Sequence, residues 1–188
     1  GKAAKSLAKA AQADTPKQPP WNQYAERARW LVYMSDYAVA ATLCSDVRDA
    51  CPKVGDPFGN IMAVADGNET VSTGVIYVYL PDLDPSPKDL EANPTISLTF
   101  SAKALGDGYC KGTAEDPTCT RLTIAGNMTK MPAGDAQAVT AESFLFAKHP
   151  EMKYWPASHG WSFWYMAPEN ISSFFFLDMY GPAHSFTV

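Results

Sequence analysis

The stretch HPEMKYWPASHGW, His149 to Trp161, carries two imidazoles, a lysine and two indoles within thirteen residues. Imidazole is the side chain best suited to proton transfer near neutral pH and to zinc ligation. A zinc centre needs three or four ligands at organised spacing. Here His149, Glu151 and His159 would have to converge unaided, and the remaining histidine, His184, lies near the C-terminus. A Cys–His nucleophile requires a free thiol, and a Ser–His–Asp arrangement would lack the GxSxG elbow that usually presents the serine. His149 ends a helical pattern stopped by Pro150, where an imidazole meets the carbonyl end of the helix dipole. His159 precedes the turn residue Gly160. Tyr154, Trp155 and Trp161 suit burial against a neighbour or a partner surface. The stretch is expected to be a structural and recognition loop, with no catalytic residue and no metal. A hydrolase activity through His149 or His159 is the alternative. Phosphate cradles of the GxxxxGK[ST] and GxGxxG types are missing.

Four cysteines fall in two close pairs, Cys44 with Cys51 and Cys110 with Cys119. Neither pair is CxxC, and no histidine stands at a zinc-finger spacing. Either they are free thiols of a cytosolic protein, or they close two short disulfide loops, each stabilising by about 2–3 kcal/mol. The second reading is preferred, and the sequons agree with it. Asn68 (NET), Asn127 (NMT) and Asn170 (NIS) are N-glycosylation acceptors by pattern, whereas Pro94 blocks Asn93. Six asparagines would give about one sequon by chance. Asn68 lies in a turn, Asn127 on the polar side of an alternating segment, and Asn170 just before a strand. A sugar at any of them would not be buried.

The chain of 188 residues suffices for one domain with a real core. Its net charge of −5, without basic clusters, disfavours nucleic acid as a partner. No apolar run approaches the roughly 20 residues of a membrane-spanning helix, so no membrane insertion is expected. GKAAKSLAKA at the start has no long apolar stretch, as in a chain whose leader has been removed. Residues 1–20, ending PKQPP, read as a loose tail, and 21–188 as a single domain.

Within that domain, Tyr24, Ala28, Leu31 and Val32 predict an amphipathic helix over 22–34, capped by Asn22. Strands are expected at 37–43, 60–66, 74–80, 95–100, 120–129, 161–166 and 171–179. TISLTF alternates strictly, with Ile96, Leu98 and Phe100 inward. GVIYVYL is apolar throughout, as in a strand covered on both faces. PSPKDLEAN reads as a short helix. GDAQAVTAESFLFAKHP reads as a longer one, with a stripe of Ala138, Ala141, Phe144 and Leu145. Many strands with few helices point to a closed or nearly closed β-barrel with helices outside, an α+β, mainly β, architecture.

PFGNIMAVADG, GVIYVYL, NPTISLTF and YMAPENISSFFFLDMYG, in that order, resemble the FMN-binding split-barrel superfamily, the fold of pyridoxamine phosphate oxidases and heme-utilisation proteins. NPTISLTF, YCK…PTC, SFLFAKHPEMKYWPASHGW, NIS and LDMYGP are more similar to one branch, the CREG family (cellular repressors of adenovirus-stimulated genes). The resemblance spans about residues 24–182. It implies an FMN-binding split β-barrel with flanking helices, assembled as a homodimer, N-glycosylated, and secreted or delivered to lysosomes. Delivery would run through mannose 6-phosphate receptors that recognise the glycans. The implied role is non-enzymatic regulation of cell growth and differentiation. Cys110 and Cys119 match the family's cysteine pair and Asn170 a family sequon. Cys44, Cys51, Asn68 and Asn127 have no obvious counterpart.

The resemblance also raises a flavin enzyme, an FMN-dependent oxidoreductase of the pyridoxamine phosphate oxidase type, as the alternative function. Flavin-binding relatives carry Ser-x-Leu-x-x-His-Thr-x-Asn-Leu after the strand matching GVIYVYL. This chain reads PDLDPSPKDL, with Pro81, Ser86 and Pro87 in place of the serine, histidine and threonine. A flavin phosphate calls for Arg or Lys, yet the flanking strands carry none, and Asp82 and Asp84 add repulsion. Lys103, Arg121 and Lys130 fall elsewhere. The expectation is a flavin fold without a cofactor.

Overall fold

A computed structural model describes residues 16–180 and 183–187. Helix α1 (Tyr24–Met34) leads into strands β1 (Tyr37–Leu43), β2 (Pro57–Ala63), β3 (Ala65–Asn68) and β4 (Val71–Pro81). Helix α2 (Pro85–Ala92), β5 (Thr95–Ser101), β6 (Arg121–Asn127) and β7 (Thr129–Lys130) follow. The described chain ends with α3 (Ala136–Lys148), β8 (Trp161–Met166), β9 (Ile171–Leu177) and β10 (His184–Thr187). None of the described helices is long and apolar enough to cross a membrane. Residues 1–15 of the expected tail lie outside the described residues. Further on, the Pro16 carbonyl accepts from Trp30 Nε1 at 2.8 Å and the Pro19 carbonyl from Arg27 Nη1 at 2.6 Å, so residues 16–20 run along α1.

The strands form two sheets and no closed barrel. The larger has the order β10-β9-β6-β5-β1-β2 and the smaller β3-β4-β8-β7; every pairing is antiparallel. Two expected strands are each divided between the sheets. The 60–66 segment breaks at Val64 and 120–129 breaks at Met128. Both joint residues are buried, so the apolar pattern runs unbroken through the corner. Their backbone N–H groups leave the ladders for the Asp36 and Pro94 carbonyls, at 3.0 and 2.9 Å. Asn22 does not cap α1; Gln23 holds that position without a side-chain bond.

The main core fills the space between the sheets. Ile96, Leu98 and Phe100 of β5 point into it, as their alternation requires, and meet Ile76, Val78 and Leu80 of β4. The other side of β4 packs Tyr77 against Ala141 and Leu145 of α3. Both faces of GVIYVYL are thus covered, which explains its lack of polar alternation. Disulfides Cys44–Cys51 and Cys110–Cys119 close two loops, with Cα separations of 5.8 and 5.1 Å.

Helix α2 is locked to β1 by Asp89, which is fully buried. Its carboxylate accepts from Thr42 Oγ1 at 2.8 Å, from the Ser45 amide at 2.9 Å and from Ser45 Oγ at 3.0 Å; Arg48 Nε lies 3.2 Å away. Removing one member of such a cluster strands the others without partners. Asp89→Ala is therefore expected to cost about 3–5 kcal/mol, seen as a lower urea midpoint at unchanged slope; a midpoint near wild type would show that the cluster is dispensable.

Candidate functional site

The β4–α2 junction carries PDLDPSPKDL, the stretch that departs from the flavin-type pattern. A helix N-terminus offers free N–H groups and a positive dipole end, a natural anion site. In this chain the site is already filled from within. Asp84 Oδ1 accepts the Ser86 amide at 2.7 Å as the α2 cap. Asn60 Nδ2 on β2 reaches both Asp84 oxygens, at 2.9 and 3.0 Å, and Ser86 Oγ at 2.9 Å. The donors at this helix start are committed to the Asp84 carboxylate, and a second anion there would meet its charge. The basic side chains weighed above are engaged elsewhere. Lys130 pairs with Glu91, Lys103 with Asp107, and Arg121 donates to the Glu115 carbonyl.

The aromatic loop packs against this same junction. The Asp82 amide donates to the Gly160 carbonyl at 2.8 Å and to that of His159 at 3.1 Å. Gly160 has φ +65°, and a Cβ on it would lie 2.3 Å from the Asp82 carboxylate, so a side chain there would be strained and would displace Asp82. Tyr79 of β4 stacks on Trp161 at 4.9 Å and on Phe163 at 4.6 Å, while Trp155 lies 4.7 Å from Trp161. Burial pushes the Tyr79 phenol up. The loop is thus a packed lid on the end of β4, while Tyr154 remains 85% exposed.

The two histidines of the loop have separate partners. His149 is buried, with Nε2 3.0 Å from the Val64 carbonyl, and so fastens the corner between β2 and β3. His159 lies along Trp161, at 6.1 Å. Glu151 is exposed. Among the described residues no group of three or more His, Cys, Asp or Glu side chains could hold a metal ion.

The sequon asparagines Asn68 and Asn127 are exposed and Asn170 is half-buried. Asn68 Oδ1 accepts from Thr70 Oγ1 at 3.0 Å within the β3–β4 turn. Among the described residues, no helix packs on the outer side of the six-stranded sheet. One register row there reads Ile61, Val39, Thr99, Thr123, Phe175 across five strands, all uncharged. The next reads Gly59, Ala41, Ser97, Ala125, Ser173. Val39 and Ile61 are 48% and 59% exposed.

Asp66, on β3, is 2% exposed. Its Oδ2 accepts from Ser72 Oγ at 2.8 Å, while Oδ1 has no hydrogen-bond partner. Burial raises its carboxyl above the usual range; Ser72, Lys148, Arg29 and the Gly74 backbone oppose this more weakly. Lys148 donates to the Tyr33 and Ser35 carbonyls at the end of α1. Desolvation lowers its pKa against the pull of Asp36 and Asp66. An aspartate read simply as part of a strand gives no sign of this enclosure.

Comparisons with known proteins agree with the geometry. The solved heme binding protein from Mycobacterium smegmatis superposes with a TM-score of 0.62 at 20% identity, covering 92% of this chain and 60% of that one. A Clostridium acetobutylicum protein related to general stress protein 26, of the pyridoxinephosphate oxidase family, superposes with a TM-score of 0.56 at 13% identity, over 90% and 97%. Two open sheets with helices at their ends and this set of neighbours define an FMN-binding-type split barrel, α+β and mainly β. The family model "CREG, beta-barrel" matches residues 19–188. Protein CREG1 of Gallus gallus is 34% identical over 168 residues, 87% of this chain and 82% of the relative. The chain belongs to the CREG β-barrel family.

The raised carboxyl of Asp66 has a definite consequence for stability. The folded state holds this proton more tightly than the unfolded chain, whose reference value is 3.8. Its contribution is therefore greatest below that value and declines as pH rises through the folded pKa. In urea unfolding, the stability of wild type relative to Asp66→Asn should increase as pH falls from about 7 to about 4; a constant difference would show that the carboxyl is unperturbed.

Proposed function

We propose that this chain is a non-enzymatic, flavin-free glycoprotein, secreted and delivered to lysosomes, that regulates cell growth and differentiation through protein contacts. The observation that carries the flavin-free part is the closed end of α2. Asp84 and Asn60 use the donors a dianionic phosphate would need, and a buried anion beside Asp84 would be costly without a new cation. A redox role of the oxidase type would need that nucleotide. The growth role and the non-enzymatic character rest on membership of the CREG family.

Two disulfides and two exposed sequon asparagines support passage through an oxidising, glycosylating compartment. Mannose 6-phosphate receptors, reading glycans on Asn68, Asn127 or Asn170, are the proposed route to the lysosome. The proposed assembly is a homodimer through the outer side of the six-stranded sheet. The two rows named above carry no charge and consist of small, hydroxyl or apolar side chains, with Arg121 and Asn127 flanking them on the same face, so two copies can meet there over an uncharged centre. Asn68 sits in the other sheet, clear of the face, and Asn127 borders it.

Native and denaturing mass measurements, before and after enzymatic removal of N-glycans, test this directly. The expected results are a dimer under native conditions, a loss of sugar mass on deglycosylation, and a monomer for the Val39→Lys, Ile61→Lys double variant. A wild-type monomer would refute the assembly, and an unchanged mass after deglycosylation would refute the glycoprotein assignment.

A further inference from the structure

Beneath α1, where the two sheets part, lies a partly enclosed cavity of about 180 Å³. Its walls are aliphatic and aromatic, with Val32 of α1, Ile76 of β4, Leu122 and Ile124 of β6, and Ile171 and Phe174 of β9. Two charged residues also line it, Asp66 and Arg29. Such a volume is close to that in which an apolar protein cavity holds one benzene ring, about 150 Å³. A buried carboxylate on a mostly apolar wall is unusual.

Asp66 is that carboxylate. Its Oδ1 is buried and has no donor at full hydrogen-bond geometry, although Ser72 satisfies Oδ2 and the Gly74 backbone lies close enough to favour the charge. A buried acceptor without a donor is destabilising until one is supplied. Arg29 does not supply it. Its Nη2 donates to the Ser72 carbonyl at 3.1 Å and to Ser72 Oγ at 3.0 Å. Its guanidinium plane lies about Gly74, with the nearest atoms 3.5 Å from where a Cβ would stand. Gly74 has φ +77°, so a side chain at 74 would be strained. The backbone there leaves the guanidinium room beside the cavity, where a planar cation favours the face of an aromatic ring.

We infer that this cavity is a binding site for a small, uncharged aromatic molecule bearing one N–H or O–H donor, of the phenol or indole class, whose donor completes Asp66 Oδ1. An anionic ring would face Asp66 unfavourably, and an aliphatic alcohol would forgo the guanidinium. The high carboxyl pKa agrees, because a desolvated carboxylate gains most from a donor that brings no water. The site lies between α1 and the sheets, away from the β4–α2 junction, and is independent of the flavin question.

The test is a titration of the intact protein, methyl-labelled at Ile, Leu and Val, with phenol, indole, benzene and benzoate. Phenol and indole should shift the Ile76, Leu122, Ile124 and Ile171 methyls saturably and bind about tenfold or more tightly than benzene, the selectivity of one hydrogen bond to a charged acceptor. Benzoate should bind more weakly than phenol. In Asp66→Leu the preference for phenol over benzene should vanish while benzene still binds. If that variant does not fold, the wild-type ratio decides alone. Equal affinity of wild type for phenol and benzene, or no shift of these methyls with any probe, would overturn the assignment.

Discussion

The carboxylate of Asp84 at the N-terminus of α2 is the constraint from which the rest of this molecule follows. A helix start beside a sheet edge is an anion site by default, because its first N–H groups lack partners within the helix. Here the anion is part of the chain. Asp84 caps the helix, Asn60 from β2 grips both carboxylate oxygens, and Ser86 completes the knot. The arrangement joins β2, the end of β4 and α2 in one hydrogen-bonded unit. Five residues on, Asp89 anchors the same helix to β1 and to the Cys44–Cys51 loop. The helix is therefore held at its start and along its body by its own acids, and its dipole is complemented without any ligand.

Once that end is closed, the neighbouring loop can rest on it. Asp82 holds Gly160 by a backbone bond, and the rings of Tyr79, Trp161 and Trp155 stack beside it. The stretch richest in imidazole and indole is thereby used for architecture. His149 fastens the corner at Val64, and His159 lies along an indole. The outer side of the six-stranded sheet and Tyr154 are among the exposed apolar surfaces of the described residues.

Much of this was legible in the sequence, for local reasons. Strands 37–43 and 161–166 fall where periodicity puts them, and Ile96, Leu98 and Phe100 point inward as alternation demands. The doubly covered part of β4, GVIYVYL at 74–80, announced itself by its lack of polar alternation, while the polar start of the strand at Ser72 and Thr73 did not. The breaks at Val64 and Met128 were invisible, because a buried residue at a corner continues the apolar pattern of the strand it ends. β10 depends on pairing with β9, and its four residues carry too short a pattern to stand out. At the site, the loss of the flavin-type donors in PDLDPSPKDL could be read, but the role of Asn60 could not. Asn60 lies 24 residues from Asp84, and only the fold brings the pair together. Asp66 was hidden for the same reason, since its enclosure is made by α1, α3 and the turn at Ser72.

The most direct test of a self-filled phosphate site is an equilibrium titration of FMN with the purified protein, followed by flavin fluorescence. The account predicts no saturable quenching at protein concentrations up to about 1 mM, the weak end of specific binding. Saturable, stoichiometric binding at micromolar concentration, competed by inorganic phosphate, would contradict it.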